Sequence, residues 1–302
     1  MIKRILVVLI GICAYAIAAQ AQTITKSQEY SAFSTIEVGD TFNVSFKPSE
    51  TGNYMAEWTV DTALENYVVV YVKNKTLYVD LDEREMNKNK EVRALYKGRN
   101  APKPVLNVTI KVPTFQSLKL SENAVVDAMG TNFENNDFSL EVSGNAKVNN
   151  LTVNAKDAKV KVSKNGAVTM NLNANDLEIS LANSANLNLN QDSRNLKIKA
   201  EDSAVLTLTG GSNAVVMETK NSAKLNLSGS ASSIDLTSQD RSEVDATRFP
   251  VKDVTLKMKN SSKFMASVNA NLSLDMDGAT FEFSGNPDIK IVNLNKATVS
   301  HK

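Results

Sequence analysis

From Leu118 onward the chain repeats a short unit: two apolar residues at alternate positions, a polar turn, a small residue and another apolar residue. Leu118-Lys-Leu120 leads through Ser121-Glu-Asn123 to Ala124 and Val126, and Leu140-Glu-Val142 leads through Ser143-Gly-Asn145 to Ala146 and Val148. Further copies open at Val160, Ile179, Ile198, Met217, Leu236, Leu256, Leu272 and Ile289, ten in all. The small residues Ala124, Ala146, Ala167, Ala185, Ala204, Ala223, Ser242, Ser262, Ala279 and Ala297 stand 17 to 22 positions apart. A period near 19 means that each copy is one turn of a solenoid.

Within a copy the apolar period is two, which puts those side chains on one side of a strand. The three-and-four spacing of helical repeats does not persist, and no Leu-rich return segment follows each strand. The expected fold is therefore all-β: a single parallel β-helix whose coils turn their apolar residues inward. Ten coils stacked at strand spacing make a rod roughly 45 Å long. Right-handed crossovers are the rule for parallel strands, so a right-handed β-helix is expected. Asn123, Asn145, Asn165, Asn183, Asp202, Asn221 and Asn260 recur just before the small position. These residues tolerate φ > 0, as a sharp corner requires.

The outward residue of the first strand runs Lys119, Glu141, Lys161, Ser180, Lys199, Glu218, Thr237 and Lys257. Opposite charges on neighbouring coils are worth ~0.2–1 kcal/mol a pair, and the mixture reads as a solvated face. It gathers no carboxylates for acid–base work.

Residues 23–81 predict strands outside the repeat: Phe33–Val38, Phe42–Phe46, Tyr54–Val60, Tyr67–Val72 and Leu77–Leu81, with a hairpin turn at Asn74-Lys75. A solenoid needs its first edge covered, and residues 22–104 are the expected N-terminal β cap, ahead of the repeat region 105–302. The cap closes with a charged loop, 82–104, in which Arg84, Lys88, Lys90, Arg93, Lys97, Arg99 and Lys103 outnumber Asp82, Glu83, Glu85 and Glu91. Every Tyr of the expected mature chain, from Tyr30 to Tyr96, and the single Trp58 lie before residue 97. Rings filling the wider core of a cap, with Leu, Val and Ala in thinner coils, are the simpler explanation. The functional one is an amphipathic contact surface, whose candidate binding residues are Tyr54, Trp58, Tyr96, Lys97 and Arg99.

Lys3 and Arg4 precede an apolar run from Ile5 to Ala19 that ends in Ala19-Gln20-Ala21. This is the pattern of a cleaved secretory signal, residues 1–21, with a mature chain from Gln22. The run is shorter than the ~20 apolar residues of a membrane span. Cys13, the single Cys, lies inside it, so no disulfide is expected after cleavage. Lys and Arg number 34 against 33 Asp and Glu, and removing Lys3 and Arg4 takes the net charge from +1 to −1. Nucleic acid, which needs a basic face, is not an expected partner. With Cys13 and His301 the sole residues of their kinds, Ser-His-Asp, Cys-His and His/Cys zinc sites lack their parts. No cofactor or metal is expected, and no catalytic residue is assigned.

Phe33-x-x-Ile36-x-Val38 with Gly39, Leu77-Tyr-Val79, and Val108-Thr-Ile110-Lys-Val112-Pro113 leading into Leu118-Lys-Leu120-Ser121-Glu-Asn123-Ala124 resemble the head GIN domain family. These are autotransporter-adhesin-like proteins of Bacteroidetes envelopes. The resemblance runs from about residue 33 to 285. The family often carries Ser-Gly-x-Ala at the turn; Ser143-Gly144-Asn145-Ala146 keeps it, while Glu122 takes the glycine's place in the first copy. The resemblance implies a right-handed β-helix at the cell envelope and supplies no catalytic residues.

The expected protein is thus exported to the periplasm or outer surface, non-enzymatic, and adhesin-like, binding a surface glycan or protein. Two rivals stand beside it. One is an envelope spacer or assembly subunit that self-associates through an open end carrying Phe264, Phe281, Phe283, Ile289 and Ile291. The other is a polysaccharide-active enzyme using carboxylates such as Glu201 and Asp202 near Asp240, or Asp275 with Asp277.

Overall fold

The computed structural model describes residues 22–49, 51–98 and 101–302. The expected signal, residues 1–21, lies outside them. The described chain is a β-solenoid of about ten turns at ~19-residue spacing. Its strands are β1 (Thr23–Tyr30), β2 (Thr35–Val38), β3 (Asn43–Pro48), β4 (Tyr54–Asp61), β5 (Val68–Lys73), β6 (Thr76–Leu81), β7 (Leu106–Val112), β8 (Ser117–Leu120), β9 (Val125–Asp127) and β10 (Asn132–Val142). They continue with β11 (Lys147–Val162), β12 (Ala167–Leu181), β13 (Asn186–Ala200), β14 (Val205–Thr219), β15 (Lys224–Ser238), β16 (Glu243–Lys259), β17 (Lys263–Asp277), β18 (Thr280–Ser284), β19 (Asp288–Asn295) and β20 (Thr298–His301). Two short helices, α1 (Glu83–Lys88) and α2 (Lys90–Leu95), interrupt the run between β6 and β7.

The coil geometry follows from the burial of β12. Val168, Met170, Leu172 and Ala174 point inward. Asn175 and Asp176 are both exposed and break the alternation, which resumes with Leu177, Ile179 and Leu181 inward. Each coil therefore has two faces, joined by a gentle bend at 175–176 and a sharp corner at 182–184. Successive coils pair in parallel, so equivalent residues stack into columns. One inward column runs from Leu77 through Ile36, Leu118 and Leu140 to Leu274, with the exposed Ile291 stacked on its end.

The sharp corner departs from the expected positions in its first three copies. Asn183, Asp202, Asn221 and Asn260 are left-handed as expected, with φ of 61°, 65°, 62° and 55°. In the earlier copies that conformation falls on Glu122, Gly144 and Lys164, one residue before Asn123, Asn145 and Asn165. The backbone places the left-handed residue two positions before the buried small one, and an Asn directly before the small residue comes too late. Those three Asn instead form a ladder, Asn165 Nδ2 donating to Asn145 Oδ1 and Asn145 Nδ2 to Asn123 Oδ1, each 3.0 Å. In the third copy the buried small residue is Gly166, not Ala167, which faces outward. A Cβ on Gly166 would lie 2.9 Å from Val162 Cγ1.

The N-terminal segment joins the stack out of sequence order. β2 lies between β6 and β8, and β3 between β7 and β9, all in parallel. The coil built from β6 and β7 is thus outermost, although it follows β2 and β3 in the chain. No repeat was visible here because Phe42 replaces the small corner residue. Asp40, at φ 54°, supplies the left-handed turn, and Phe42 is fully buried in the place equivalent to Ala124. In the outer coil the chain leaves at this corner after β6 and comes back only at β7, and the ring occupies the extra room.

Antiparallel strands close that end: β5 pairs with β6, and β4 with β7, while β1 covers β4. Asn74 and Lys75, at φ 51° and 60°, make the two-residue turn that suits a twisted hairpin. The charged stretch expected as a loop instead winds into α1 and α2, because Asp82 and Asn89 accept backbone N–H groups at their starts. Neither helix buries a residue. Rings are not confined to the cap: Phe264 and Phe281 are fully buried in the late coils, their centroids 5.4 Å apart.

Close backbone approach demands glycine at several positions, among them Gly210 and Gly229. Gly210 and Gly229 have φ of 128° and 133°, and a Cβ would sit 1.6 Å from the Gln191 carbonyl oxygen and 1.8 Å from that of Gly210. Gly210→Ala is expected to lower stability by on the order of 3 kcal/mol or more. Gly130→Ala, left-handed with nothing within 4 Å, should cost about 1 kcal/mol. Denaturant midpoints of the two variants check this; equal losses would refute the close backbone approach.

Candidate functional site

Of the five residues expected to form a contact surface, Tyr54, Trp58 and Tyr96 are half-buried. Tyr54 and Trp58 lie with Ala56 and Val60 on the core-facing side of β4, partly buried against the core. The Tyr54 ring meets Phe33 edge-on, with centroids 5.0 Å apart. Tyr96 follows α2, and its hydroxyl donates to Oδ2 of the buried Asp61 at 3.0 Å. The Val105 N–H donates to the same oxygen at 3.1 Å. Burial, with the Asp61 carboxylate beside it, pushes the Tyr96 phenol up to about 12. Tyr96 thereby pins the helical excursion to the end of β4. Lys97 is exposed, and Arg99 lies outside the described residues. The most exposed aromatic pair at this end is one that sequence reasoning passed over. Tyr71 and Tyr78 stack across the hairpin with centroids 5.0 Å apart, and Tyr71 is 42% exposed.

The two faces of the coils differ in chemistry. The second face carries charge pairs between neighbouring coils, Lys161 with Glu141 at 2.8 Å and Lys159 with Glu178 at 3.0 Å. The first face of the middle coils is almost uncharged: Thr169, Asn171 and Asn173, then Asn188 and Asn190, then Thr207 and Thr209. Their amides bond along the columns, Asn190 Nδ2 to Asn171 Oδ1 at 3.2 Å and Asn173 Nδ2 to Asn154 Oδ1 at 2.9 Å.

Two concavities lie at the gentle bend between these faces. One is a groove of about 810 Å³ beside the column Asp137, Asp157, Asp176 and Asn195. Its floor includes Phe138, Leu177 and Leu196. The other is a trough of about 700 Å³ floored by Ala174, Ser193, Ser212 and Ala231, with Asn175, Arg194, Asn213, Ser232 and Lys252 along one bank. It exists because the inward column that holds Leu172 continues as Gln191, Gly210 and Gly229, and the missing side chains let the backbone sink. The Gln191 side chain fills the interior beneath, 2% exposed. Its Nε2 donates to Gly211 O at 3.1 Å and Ser212 Oγ at 3.3 Å.

The carboxylates considered for catalysis are held apart. Asp202 and Asp240 occupy the sharp corner two coils apart with Asn221 between them, and Asn221 Nδ2 donates to Asp202 Oδ1 at 2.8 Å. Glu201 faces Lys199 at 3.8 Å. Asp275 and Asp277 each accept from an amide of the last long strand, Asn293 at 3.4 Å and Asn295 at 2.9 Å. Among the described residues no three His, Cys, Asp or Glu side chains are grouped to hold a metal ion. No described helix is long and apolar enough to cross a membrane.

Residues 32–191 and 177–287 match the family described as "Putative auto-transporter adhesin, head GIN domain". The chain belongs to that family. Several solved structures are similar to this head GIN chain. A "putative adhesin" from Parabacteroides distasonis is 15% identical with a TM-score of 0.49, over 94% of this chain and 98% of that one. Another, from Parabacteroides merdae, is 18% identical with a TM-score of 0.43, over 94% and 97%. A third, from Bacteroides fragilis, is 15% identical with a TM-score of 0.38, over 93% and 94%. No curated protein matches the chain in sequence.

The titration that departs furthest among the carboxylates is at the first corner. Burial, then the charges of Glu83 and Asp80, raise Asp40 from 3.8 to about 7. A carboxyl whose native value is raised is still protonated in the fold when it has ionised in the unfolded chain. The native state therefore loses stability as pH climbs from about 4 to about 7, and the loss is complete above that. Asp40→Asn keeps a side chain that tolerates the left-handed turn. It should melt higher than the parent at pH 8, and the gain should vanish by about pH 4. Thermal unfolding at both values tests this, and a pH-independent difference would refute it.

Proposed function

We propose that this head GIN protein is exported to the periplasm or outer surface and works there by binding a glycan or protein, without chemistry of its own. The observation that carries the reading is the long, nearly uncharged Asn/Thr face of the middle coils. It offers an Asn or Thr side chain at each coil spacing of this stretch, which suits a partner that is itself a repeating polymer. Family membership and the amino-terminal signal pattern support export and adhesion. The Tyr54, Trp58, Tyr96, Lys97 and Arg99 end remains a second proposed contact, in which the rings stabilise the cap and Lys97 meets the partner.

The expected result is retention of an envelope glycan or protein by the immobilised chain Gln22–Lys302, with no soluble product. Glycan arrays, envelope pull-downs and chromatography of uronic-acid polymers after incubation measure both halves. Release of shortened polymer would replace the binding reading with the enzymatic one.

One observation favours assembly as a second reading. Ile289, Ile291, Val292 and Leu294 of β19 are 49%, 61%, 60% and 40% exposed, with no described strand beyond them on that face. An apolar sheet edge of this kind favours association. Light scattering across a concentration series should show a growing mass that Ile291→Lys abolishes; a constant monomer mass would refute assembly.

A further inference from the structure

The trough at the gentle bend has a lining unlike either long face. Its floor holds Ser193 and Ser212, half-buried and with their hydroxyls 2.9 Å apart, and its bank carries the exposed Asn175 and Asn213. Arg194 and Lys252 stand on the same bank, exposed and without an ion-pair partner among the described residues. The one carboxylate present, Asp192, accepts the Gly211 N–H at 3.1 Å. The buried Gln191 amide bonds the floor from below. Gln191 Oε1 is itself buried and has no hydrogen-bond partner among the described residues, leaving a spare acceptor on this network.

The spacing limits what can lie there. The bank column runs Asn175, Arg194, Asn213, Ser232 and Lys252, one residue per coil. Arg194 and Lys252 are therefore three coil spacings apart, about 14 Å, with neutral hydrogen-bonding groups between them. One coil spacing is close to the length of one sugar ring along an extended chain. A hydroxyl-rich chain lying along the axis could place a ring on each coil and an anionic substituent at each cation. The guanidinium offers two parallel N–H donors to a carboxylate or sulfate. The lining has no aromatic ring or deep apolar slot for an acyl chain, and its small charge does not suit a nucleic acid.

We propose that this trough binds an acidic oligosaccharide, with its anionic groups on Arg194 and Lys252 and its hydroxyls on Ser193, Ser212, Asn175 and Asn213. The proposal rests on the glycan-binding reading above and names the class of glycan.

Calorimetry on the chain Gln22–Lys302 tests it with tetragalacturonate, a sulfated tetrasaccharide and neutral cellotetraose as probes. At least one acidic probe should bind at least ~10-fold tighter than cellotetraose, and the two acidic probes separate carboxylate from sulfate recognition. Arg194→Gln with Lys252→Gln should remove that preference, whereas Lys199→Gln with Lys257→Gln, on the second face, should keep it. Both pairs are exposed, so circular dichroism should match the parent. Equal affinity for acidic and neutral probes, equal loss in the two double variants, or no binding of either acidic probe would each overturn the proposal. The envelope pull-down judges the broader reading separately, since a partner retained there by the Arg194/Lys252 variant leaves adhesion intact without the trough.

Discussion

Parallel pairing of each coil with the next is the constraint on which the rest of this molecule depends. Once the backbone ladder is in register, every side chain sits one strand spacing from its equivalent above and below. A residue is therefore selected against copies of its own position, not only against its sequence neighbours. Inward columns answer with Leu, Ile, Val and Met, and the sharp corner admits Ala, Ser or Gly because the equivalent corner lies directly overhead. Outward columns mostly keep like charges apart, the stacked Asp137, Asp157 and Asp176 at the gentle bend being an exception. The second face mixes Lys with Glu and neutral residues, while the first uses Asn, whose amide donates to one neighbour and accepts from the other.

The ladder also creates an end problem, since the first coil would leave both parallel edges open. Here antiparallel strands solve it, with β5 on one face and β4 and β1 on the other. The terminal coil is completed by β7 only after the chain has left through α1 and α2 and returned. Tyr96, bonded to the buried Asp61, ties that excursion down, which explains a ring at this position without any ligand. The cap is consequently a packed structure in which most of the aromatic surface is already committed.

Binding along the side of such a rod follows from the same repetition. A departure in one inward column, from Leu172 to Gln191, Gly210 and Gly229, changes the outside as much as the inside. The backbone sinks, the polar Gln191 side chain replaces apolar packing, and a trough opens on the surface above it. Its bank carries Arg194 and Lys252 three coils apart, a separation that has meaning only because the coils are in register.

The solenoid, its period and its inward residues were legible in the sequence, because alternation within a copy and recurrence between copies are local properties of the chain. The left-handed corner was legible where Asn or Asp stood two positions before the small residue, as at Asn183 and Asp202, and misplaced where Asn stood one position before it, as at Asn123. Residue type reports tolerance of φ > 0, but the register of the corner decides which residue takes it. The membership of β2 and β3 in the stack was hidden, since Phe42 masks the small-residue signature and the spatial order of coils reverses the chain order. The trough was hidden for a similar reason: Asn175, Arg194, Asn213 and Lys252 are far apart in sequence, and only the stacking of coils brings them to one surface. Local periodicity determined that this chain must wind, whereas long-range strand pairing decided which coil lies outermost, which rings are consumed by the cap and where a concave surface appears.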